Sequence, residues 1–208
     1  MIDCFALLDE PRRPWLDAEA LKEKFLARAA ALHPDRFHGA SPAEKEEASR
    51  RYTELNGAHA RLRDTKDRLA HLLELELGRR PLDVQQVPAA AMELFFQVGQ
   101  LCRETDQFQA ARGQVTSPLL KAQSFERGLE LADRISGLQR VLAEASQSIE
   151  TRLQTLNAAW SAAAAPAVGS PERKGQLPLD EVEALYRESS FLARWRGQLQ
   201  ERFVQLSL

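Results

Sequence analysis

A long run of apolar residues at helical spacing dominates the second half of the sequence. Between residues 131 and 160 apolar side chains recur at steps of four and three: Leu131, Ile135, Leu138, Leu142, Ala145, Ile149, Leu153, Leu156 and Trp160. Because these steps match the turn of an α-helix, the side chains share one face, which needs partner helices to bury it. Strand-favouring residues are sparse, whereas Ala, Leu, Glu, Arg and Gln dominate. The sequence predicts an all-α fold.

The composition removes several classes of protein. The 208 residues carry 28 Lys and Arg against 30 Asp and Glu, a formal net charge of −2, which disfavours a uniformly basic nucleic-acid binder. A hydrophobic share of 44% can fill one or two small cores, so a disordered chain is also excluded. No apolar stretch is long enough for a membrane span, and the start lacks the pattern of a signal peptide. We expect a cytoplasmic protein with neither a membrane nor a nucleic acid as partner.

Catalytic and metal-binding motifs are missing from the sequence. The four histidines form no HExxH pair, and no glycine-rich phosphate loop occurs. Cys4 and Cys102 lie far apart without a CxxC partner, which indicates core cysteines in a reducing compartment. We therefore expect no enzyme activity, no metal and no cofactor.

Capping residues and apolar stripes divide the chain into two parts. A short apolar segment at residues 5–8 precedes three helical segments. The middle one carries Ala48, Tyr52, Leu55, His59 and Leu62 on one side. The third segment, residues 66–77, ends at Gly78 as its C-cap. Because a linker-like Arg79-Arg80-Pro81 follows, we predict one domain at residues 1–78 and a second at 79–208.

The pattern of the second part predicts three longer helices, at about residues 88–108, 118–160 and 179–206. Antiparallel packing would bury their stripes, so we predict a three-helix bundle. Residues 161–178 separate the last two stretches, and 12 of these 18 residues are Ala, Gly, Ser or Pro. This composition predicts a flexible loop.

His33-Pro34-Asp35 marks the turn between the first two long helices. Pro34 stops the helix and forces the chain to turn, which exposes its neighbours. Asp35 offers an ionised acceptor for a partner's arginine, and His33 supplies a compact donor and acceptor beside it. The alternative reading is a plain helix stop with a capping aspartate.

Basic residues surround this turn. Lys22, Lys24 and Arg28 precede it on the amphipathic helix, and Arg36 follows it. Such residues would steer an acidic partner surface towards the turn.

Residues 3–77 resemble a J-domain, the module through which DnaJ-class co-chaperones stimulate the ATPase of a DnaK-type chaperone. The resemblance rests on residues 5–8, Phe25, the His33-Pro34-Asp35 tripeptide, and the segments at 55–58 and 62–63. J-domains often have an aromatic residue just ahead of the histidine, where this chain has Ala29-Ala30-Ala31-Leu32. The resemblance implies that the catalytic groups belong to the chaperone. It also implies a chaperone-binding set of His33, Pro34, Asp35, Lys22, Lys24, Arg28 and Arg36.

The chain also resembles the HscB-type co-chaperones of iron–sulfur cluster assembly, because it lacks a Gly/Phe-rich region and zinc-binding CxxC repeats. Local similarities lie at residues 68–75 with Gly78, at 91–95, and at 190–192 with Trp195. The resemblance implies a DnaK/HscA-class chaperone and an IscU-like iron–sulfur scaffold as partners. The client-binding residues that we expect are Met92, Phe95, Phe96 and Phe191. Phe96, Gln97, Gly99 and Gln100 depart from the family, which would have polar or acidic residues there.

The helix near residue 95 carries two apolar stripes. Leu94, Val98 and Leu101 form one and Met92, Phe95 and Phe96 the other. Together they cover about 220°, more than the roughly 100° that one core contact needs. The second stripe is either left for a partner or buried, because the helix is central or packs on the J-domain. Two functional alternatives stay open: a J-domain protein with a different client, and a helical interaction protein without a chaperone partner.

Overall fold

The computed structural model describes residues 2–81, 86–113, 117–163 and 171–207. All regular structure within these ranges is helical, which confirms the predicted fold class. The α-helices are α1 (Cys4–Leu7), α2 (Ala18–Leu32), α3 (Pro42–Arg63), α4 (Thr65–Leu77), α5 (Met92–Arg112), α6 (Pro118–Ala162), α7 (Pro171–Gln176) and α8 (Leu179–Ser207). Short 3₁₀ turns occupy Pro34–Phe37 and Ala89–Ala91.

The chain forms two compact units. Unit 1 comprises Met1–Leu82 with Glu150–Tyr186, and unit 2 comprises Asp83–Ile149 with Arg187–Leu208. Helices α6 and α8 each contribute residues to both units. The first unit therefore takes in a segment from the second half of the chain, which no local sequence signal indicates. The predicted domain boundary near Gly78 stays a prediction.

Capping side chains fix the helix starts in unit 1. Asp17 accepts a hydrogen bond from the amide of Ala20 at 2.8 Å. Ser41 and Glu44 form a reciprocal capping box at the start of α3, where Pro42 needs no amide partner. Gly78 ends α4 in the left-handed region with φ 72°, as its predicted C-cap role requires.

The core of unit 1 is apolar but contains several buried charged groups. Its largest fully buried apolar side chains are Phe5, Leu8, Leu21, Leu62, Leu69, Leu72, Leu73, Leu153 and Leu185. Among them lies the guanidinium of Arg68, which donates to the carbonyls of Pro14 and Leu62 at 3.0 Å each and to Glu150 at 3.0 Å. The indole of Trp160 donates to the carbonyl of Arg12 at 2.7 Å. These bonds attach the end of α6 to the N-terminal helices of the same unit.

The predicted loop at residues 161–178 is wrong for residues 161–162, which end α6, and for residues 171–176, which form α7. Arg173 of α7 is buried and makes two hydrogen bonds to the buried carboxylate of Glu76, at 2.7 and 3.0 Å. Composition missed this helix because a distant ion pair, rather than local propensity, holds it. Residues 164–170 of the predicted loop lie outside the described residues.

Unit 2 is a bundle of three helices, as predicted. Arg202 of α8 pairs with Asp106 of α5 at 2.8 Å, Arg134 of α6 pairs with Glu104 of α5, and Gln139 bonds Gln200 at 3.1 Å. The apolar stripe of α6 is buried, as predicted, apart from the half-buried Ala145. Its members up to Ile149 lie in unit 2 and the rest lie in unit 1.

Candidate functional site: a polar tip and an apolar face

The turn after α2 forms an exposed tip in unit 1. Helix α2 ends at Leu32, and His33 leaves the helical conformation with φ −58° and ψ 130°. Pro34–Phe37 then form a 3₁₀ turn, and α3 begins at Pro42. The side chain of Pro34 lies outside the described residues. The sequence thus produces the sharp turn that the proline predicts.

His33 and Asp35 hold one another within this tip. The amide of Asp35 donates to Nδ1 of His33 at 3.3 Å, which leaves Nε2 of the neutral ring as the protonated nitrogen. In the protonated ring Nδ1 would instead donate to the Asp35 carboxylate, whose Oδ2 lies 3.4 Å away. The side chain of Asp35 is 89% exposed and that of His33 is 47% exposed. The tip therefore offers an ionised acceptor and an imidazole donor to solvent.

A ring from α3 packs against His33. Tyr52 meets the imidazole edge to face, with ring centroids 5.6 Å apart and planes at 80°. Sequence reasoning placed Tyr52 on the inner stripe of α3 and missed this contact. No spacing rule links the two residues, because the contact arises from the tertiary packing of α2 on α3.

The predicted basic residues separate into different environments. Lys24 bonds the carbonyl of Asp9 at 2.8 Å and the buried Glu10 at 2.8 Å, and Arg28 bonds the carbonyl of Leu7 at 3.0 Å. Lys24 therefore attaches α2 to the segment that follows α1, and Arg28 attaches it to the end of α1. Lys22, which lies about 200° around the helix from Lys24, pairs only loosely with the exposed Glu19 at 3.2 Å.

Arg36, the remaining predicted basic residue, lies in the tip itself and is exposed. Its guanidinium reaches the carbonyl of Ala30 at 3.4 Å, a long bond that an incoming partner could replace. Of the four basic residues, Lys22 and Arg36 are therefore the least committed to structure.

Unit 2 exposes an apolar face at the start of α5. Met92, Phe95 and Phe96 are 38%, 41% and 62% exposed, whereas Val98 and Leu101 are buried. The alternative that this helix is buried on both sides is therefore wrong. We call the surface formed by Met92, Phe95 and Phe96 the α5 face.

Phe191 lies beneath this face. The rings of Phe96, Phe95, Trp195 and Phe191 follow one another, with centroid distances of 5.5, 6.3 and 5.5 Å. Phe191 is only 5% exposed, so it supports the α5 face from inside the bundle rather than forming part of its surface. The sequence did not distinguish this position from the exposed ones, because all are apolar residues on amphipathic helices.

The acidic residues near the α5 face differ in availability. Glu93 is exposed and accepts from Gln97 at 3.1 Å. Glu104 is paired with Arg134, whose hydrogen bond lowers the pKa of the Glu104 carboxyl. Glu93 is therefore the better placed of the two to meet a partner.

Comparison with known proteins assigns the family. A co-chaperone protein HscB homolog of Bordetella pertussis is 30% identical over 136 residues, which cover 65% of this chain and 78% of that protein. The chain belongs to the HscB co-chaperone family. No protein-family model matches it.

Several HscB relatives match over a shorter region. The homolog of Bordetella petrii is 36% identical over 99 residues, and that of Paraburkholderia xenovorans is 38% identical over 97 residues. These alignments span 56% and 53% of the relatives' length and 48% and 47% of this chain. The chain thus spans about half the length of these curated relatives.

Solved HscB structures share the fold. HscB of Vibrio cholerae superposes with a TM-score of 0.55 at 21% identity, covering 99% of both chains. Human co-chaperone HscB gives a TM-score of 0.56 at 14% identity, covering 96% of this chain and 81% of that one. At these identities the likeness establishes the all-α architecture.

Two other kinds of site are absent from the part of the chain that the structure describes. These residues contain no group of three or more His, Cys, Asp or Glu side chains that could hold a metal ion. Nor do they include a helix with both the length and the apolar character that crossing a bilayer requires. Cys4 and Cys102 are buried free thiols, as predicted, and burial raises the pKa of each.

Proposed function

We propose that this HscB-family protein is a co-chaperone that stimulates the ATPase of a DnaK/HscA-class chaperone through a J-domain at residues 1–78. The exposed His33-Pro34-Asp35 tip carries this proposal. The protein itself catalyses nothing and needs no cofactor, because hydrolysis takes place in the chaperone. The names of its relatives support a co-chaperone role. We expect it to act in the cytoplasm.

The chemistry of the tip supports a polar, charge-assisted contact. Asp35 can accept hydrogen bonds from an arginine of the chaperone, and Nε2 of His33 can donate to a nearby acceptor. Lys22 and Arg36, with the partly exposed heads of Lys24 and Arg28, would attract an acidic surface.

Steady-state ATPase measurements with the cognate chaperone test this role. Adding the wild-type protein should raise turnover, and adding His33→Gln should not. His38→Gln provides the matched control, because His38 is exposed beside the tip but is not part of it. Equal stimulation by wild type and His33→Gln would refute the proposal.

We further propose that residues 79–208 bind a client through the α5 face and that the client is an IscU-like iron–sulfur scaffold. Exposed Met and Phe side chains form the adaptable apolar surface that such contacts use, with Glu93 at its edge. Phe191 would act through Trp195, by holding the ring on which Phe95 rests. Iron and sulfide would belong to the scaffold.

Binding of the scaffold to the full-length protein tests the client. Phe96→Ala should weaken binding by about 1–3 kcal/mol, the value of a buried aromatic side chain. Phe125→Ala is the matched control, since Phe125 is equally exposed in unit 2 but lies on α6. The full chain is needed because a cut at Gly78 would divide unit 1.

One observation favours a different client for the same J-domain. Gln97 and Gln100 flank the α5 face where acidic residues would be expected, and Glu104 is already paired with Arg134. If the scaffold fails to bind while Phe96→Ala abolishes binding of another cellular protein, that alternative replaces the iron–sulfur role. A helical interaction protein without a chaperone would show no ATPase stimulation at all.

A further inference from the structure

Tyr52 is the aromatic residue in contact with the tip. It lies on α3, half-buried, and its ring meets His33 edge to face at 5.6 Å. The contact joins the middle of one helix to the first residue after another. Tyr52 therefore contacts His33 from outside the turn that contains His33.

The imidazole of His33 needs such support. Its side chain is 47% exposed, and a single long hydrogen bond, 3.3 Å from the amide of Asp35, ties its Nδ1 to the backbone. The residues just before it, Ala29-Ala30-Ala31-Leu32, offer no ring to stack on. One bond of this length leaves the ring free to turn about its side-chain torsions.

We propose that Tyr52 is a positioning residue, which holds the His33 ring so that Nδ1 caps the Asp35 amide and Nε2 remains available to donate to the chaperone. The inference rests on the proposed co-chaperone function and adds a residue to it. Tyr52 acts through His33 and need not touch the partner.

An edge-to-face aromatic pair contributes enough free energy to change the population of one ring orientation by about 2- to 10-fold. The ring that packs, rather than the phenol hydroxyl, is the active part. Phenylalanine at this position should therefore preserve the effect, and alanine should remove it.

Two measurements on full-length variants test the proposal. The first is the solvent-exchange rate of the Asp35 amide, measured by NMR without any partner. The second is stimulation of the chaperone ATPase at subsaturating co-chaperone concentration. Tyr52→Ala should raise the exchange rate and lower stimulation, each by about 2- to 10-fold, and Tyr52→Phe should leave both within twofold of wild type.

Thr53→Ala is the control for a change on α3. Thr53 is exposed, and its hydroxyl bonds only the carbonyl of Ser49 in its own helix, at 2.9 Å. It should alter neither measurement. Unfolding by urea, followed for each variant, shows whether Tyr52→Ala remains folded under the assay conditions.

Several outcomes would overturn the proposal. Reduced stimulation with unchanged Asp35 exchange would mean that Tyr52 acts in some other way than by positioning His33. Faster exchange with unchanged stimulation would mean that the orientation of the His33 ring does not affect function. A Tyr52→Phe variant that behaves like Tyr52→Ala would assign the effect to the phenol hydroxyl. If wild type stimulates nothing, the proposed function fails, and amide exchange still decides whether Tyr52 holds the ring.

Discussion

The two units stabilise themselves in different ways. Unit 1 buries charged and titratable side chains, namely Glu10, Arg68, His71, Glu76 and Arg173. Among the described residues of unit 2 the buried polar side chains are Thr105 and Ser189, and its ion pairs lie at least partly in solvent. Unit 1 presents a polar tip, and unit 2 presents the apolar α5 face. The unit with the polar surface thus buries charge pairs within its apolar core, whereas the unit with the apolar surface keeps its ion pairs outside its core.

Removing one partner of the buried ion pair should have the largest effect on unit 1. In Arg173→Leu the carboxylate of Glu76 stays buried without its bidentate partner, and unit 1 should lose about 3–5 kcal/mol. Arg202→Leu in unit 2 should cost about 1 kcal/mol or less, because Asp106 is half exposed. Native-state hydrogen exchange, read at α4 for unit 1 and α5 for unit 2, measures both.

The double variant Glu76→Leu with Arg173→Leu sharpens this prediction. Replacing both charges with apolar groups should recover most of the lost stability, because no unpaired charge remains buried. If Arg173→Leu and Arg202→Leu cost the same, the contrast between the units is wrong.

Shortening a buried side chain of the α6 stripe should destabilise unit 2 strongly, unlike the loss of its ion pair. Leu142 is buried in unit 2, so Leu142→Ala should cost about 2–5 kcal/mol there through lost contacts and a cavity. Its neighbour Val141 is exposed, and Val141→Ala should change little. Urea unfolding monitored by exchange at α5 reports the difference; equal losses for the two variants would contradict the assigned stripe.

Asp35→Asn should reduce stimulation of the chaperone ATPase and leave binding of the client unchanged. The carboxylate of Asp35 is exposed and ready for a charge-assisted bond, whose loss costs about 1.5–3 kcal/mol, or more than tenfold in stimulation. Asp133→Asn, at an exposed aspartate of α6, is the control. Scaffold affinity should stay within twofold of wild type, and a parallel loss of scaffold binding would show that the two sites are not separate in function.

Binding at the two surfaces should also differ in its dependence on salt, with a smaller effect than the substitutions above. Raising the salt concentration from about 0.05 M to 0.5 M shortens the screening length several-fold, so chaperone binding through the charged tip should weaken. Scaffold binding through Met92, Phe95 and Phe96 should change little, because it buries apolar area. Titration calorimetry at both salt concentrations measures this, and stronger salt dependence at the α5 face would reverse the assignment.

The tip was predictable from sequence because its geometry is local. Pro34 stops α2, and Ser41 with Glu44 starts α3, so the exposed turn follows from a few adjacent residues. The α5 face was predictable only as one of two alternatives, since two apolar stripes do not reveal which one is covered. Phe191 looked equivalent to Phe96 yet lies beneath the α5 face. The contact of Tyr52 with His33 and the position of α7 both depend on residues that are distant in sequence. Sequence patterns predict local backbone conformation and the apolar face of a helix, but they do not predict which distant residue that face will contact.

Acid should destabilise unit 1 before unit 2. All four histidines lie in the first 82 residues, and burial lowers the pKa of His71 and His59, with Arg61 and Arg63 adding to the respective shifts. Well above pH 6.5, the usual imidazole pKa, both imidazoles are neutral in the folded and unfolded chain, so they leave stability unchanged. As the pH falls below that value, the unfolded chain takes up protons that the folded unit resists, and its free energy of unfolding decreases until the folded pKa is passed.

Unit 2 should respond only at lower pH, because the pKa of the Glu104 carboxyl is lowered by Arg134 and its pairing persists until that group protonates. Hydrogen exchange at α4 and α5 between pH 7 and 5 measures the two responses separately. His71→Gln should make the stability of unit 1 less dependent on pH. The imidazole of His71 accepts a hydrogen bond from the backbone amide of Cys4 at 3.0 Å, and the side-chain oxygen of glutamine can accept that bond without titrating. His38→Gln should not have this effect, because His38 is exposed. An equal decline in both units would mean that buried imidazoles do not set the acid sensitivity of the tip-bearing unit.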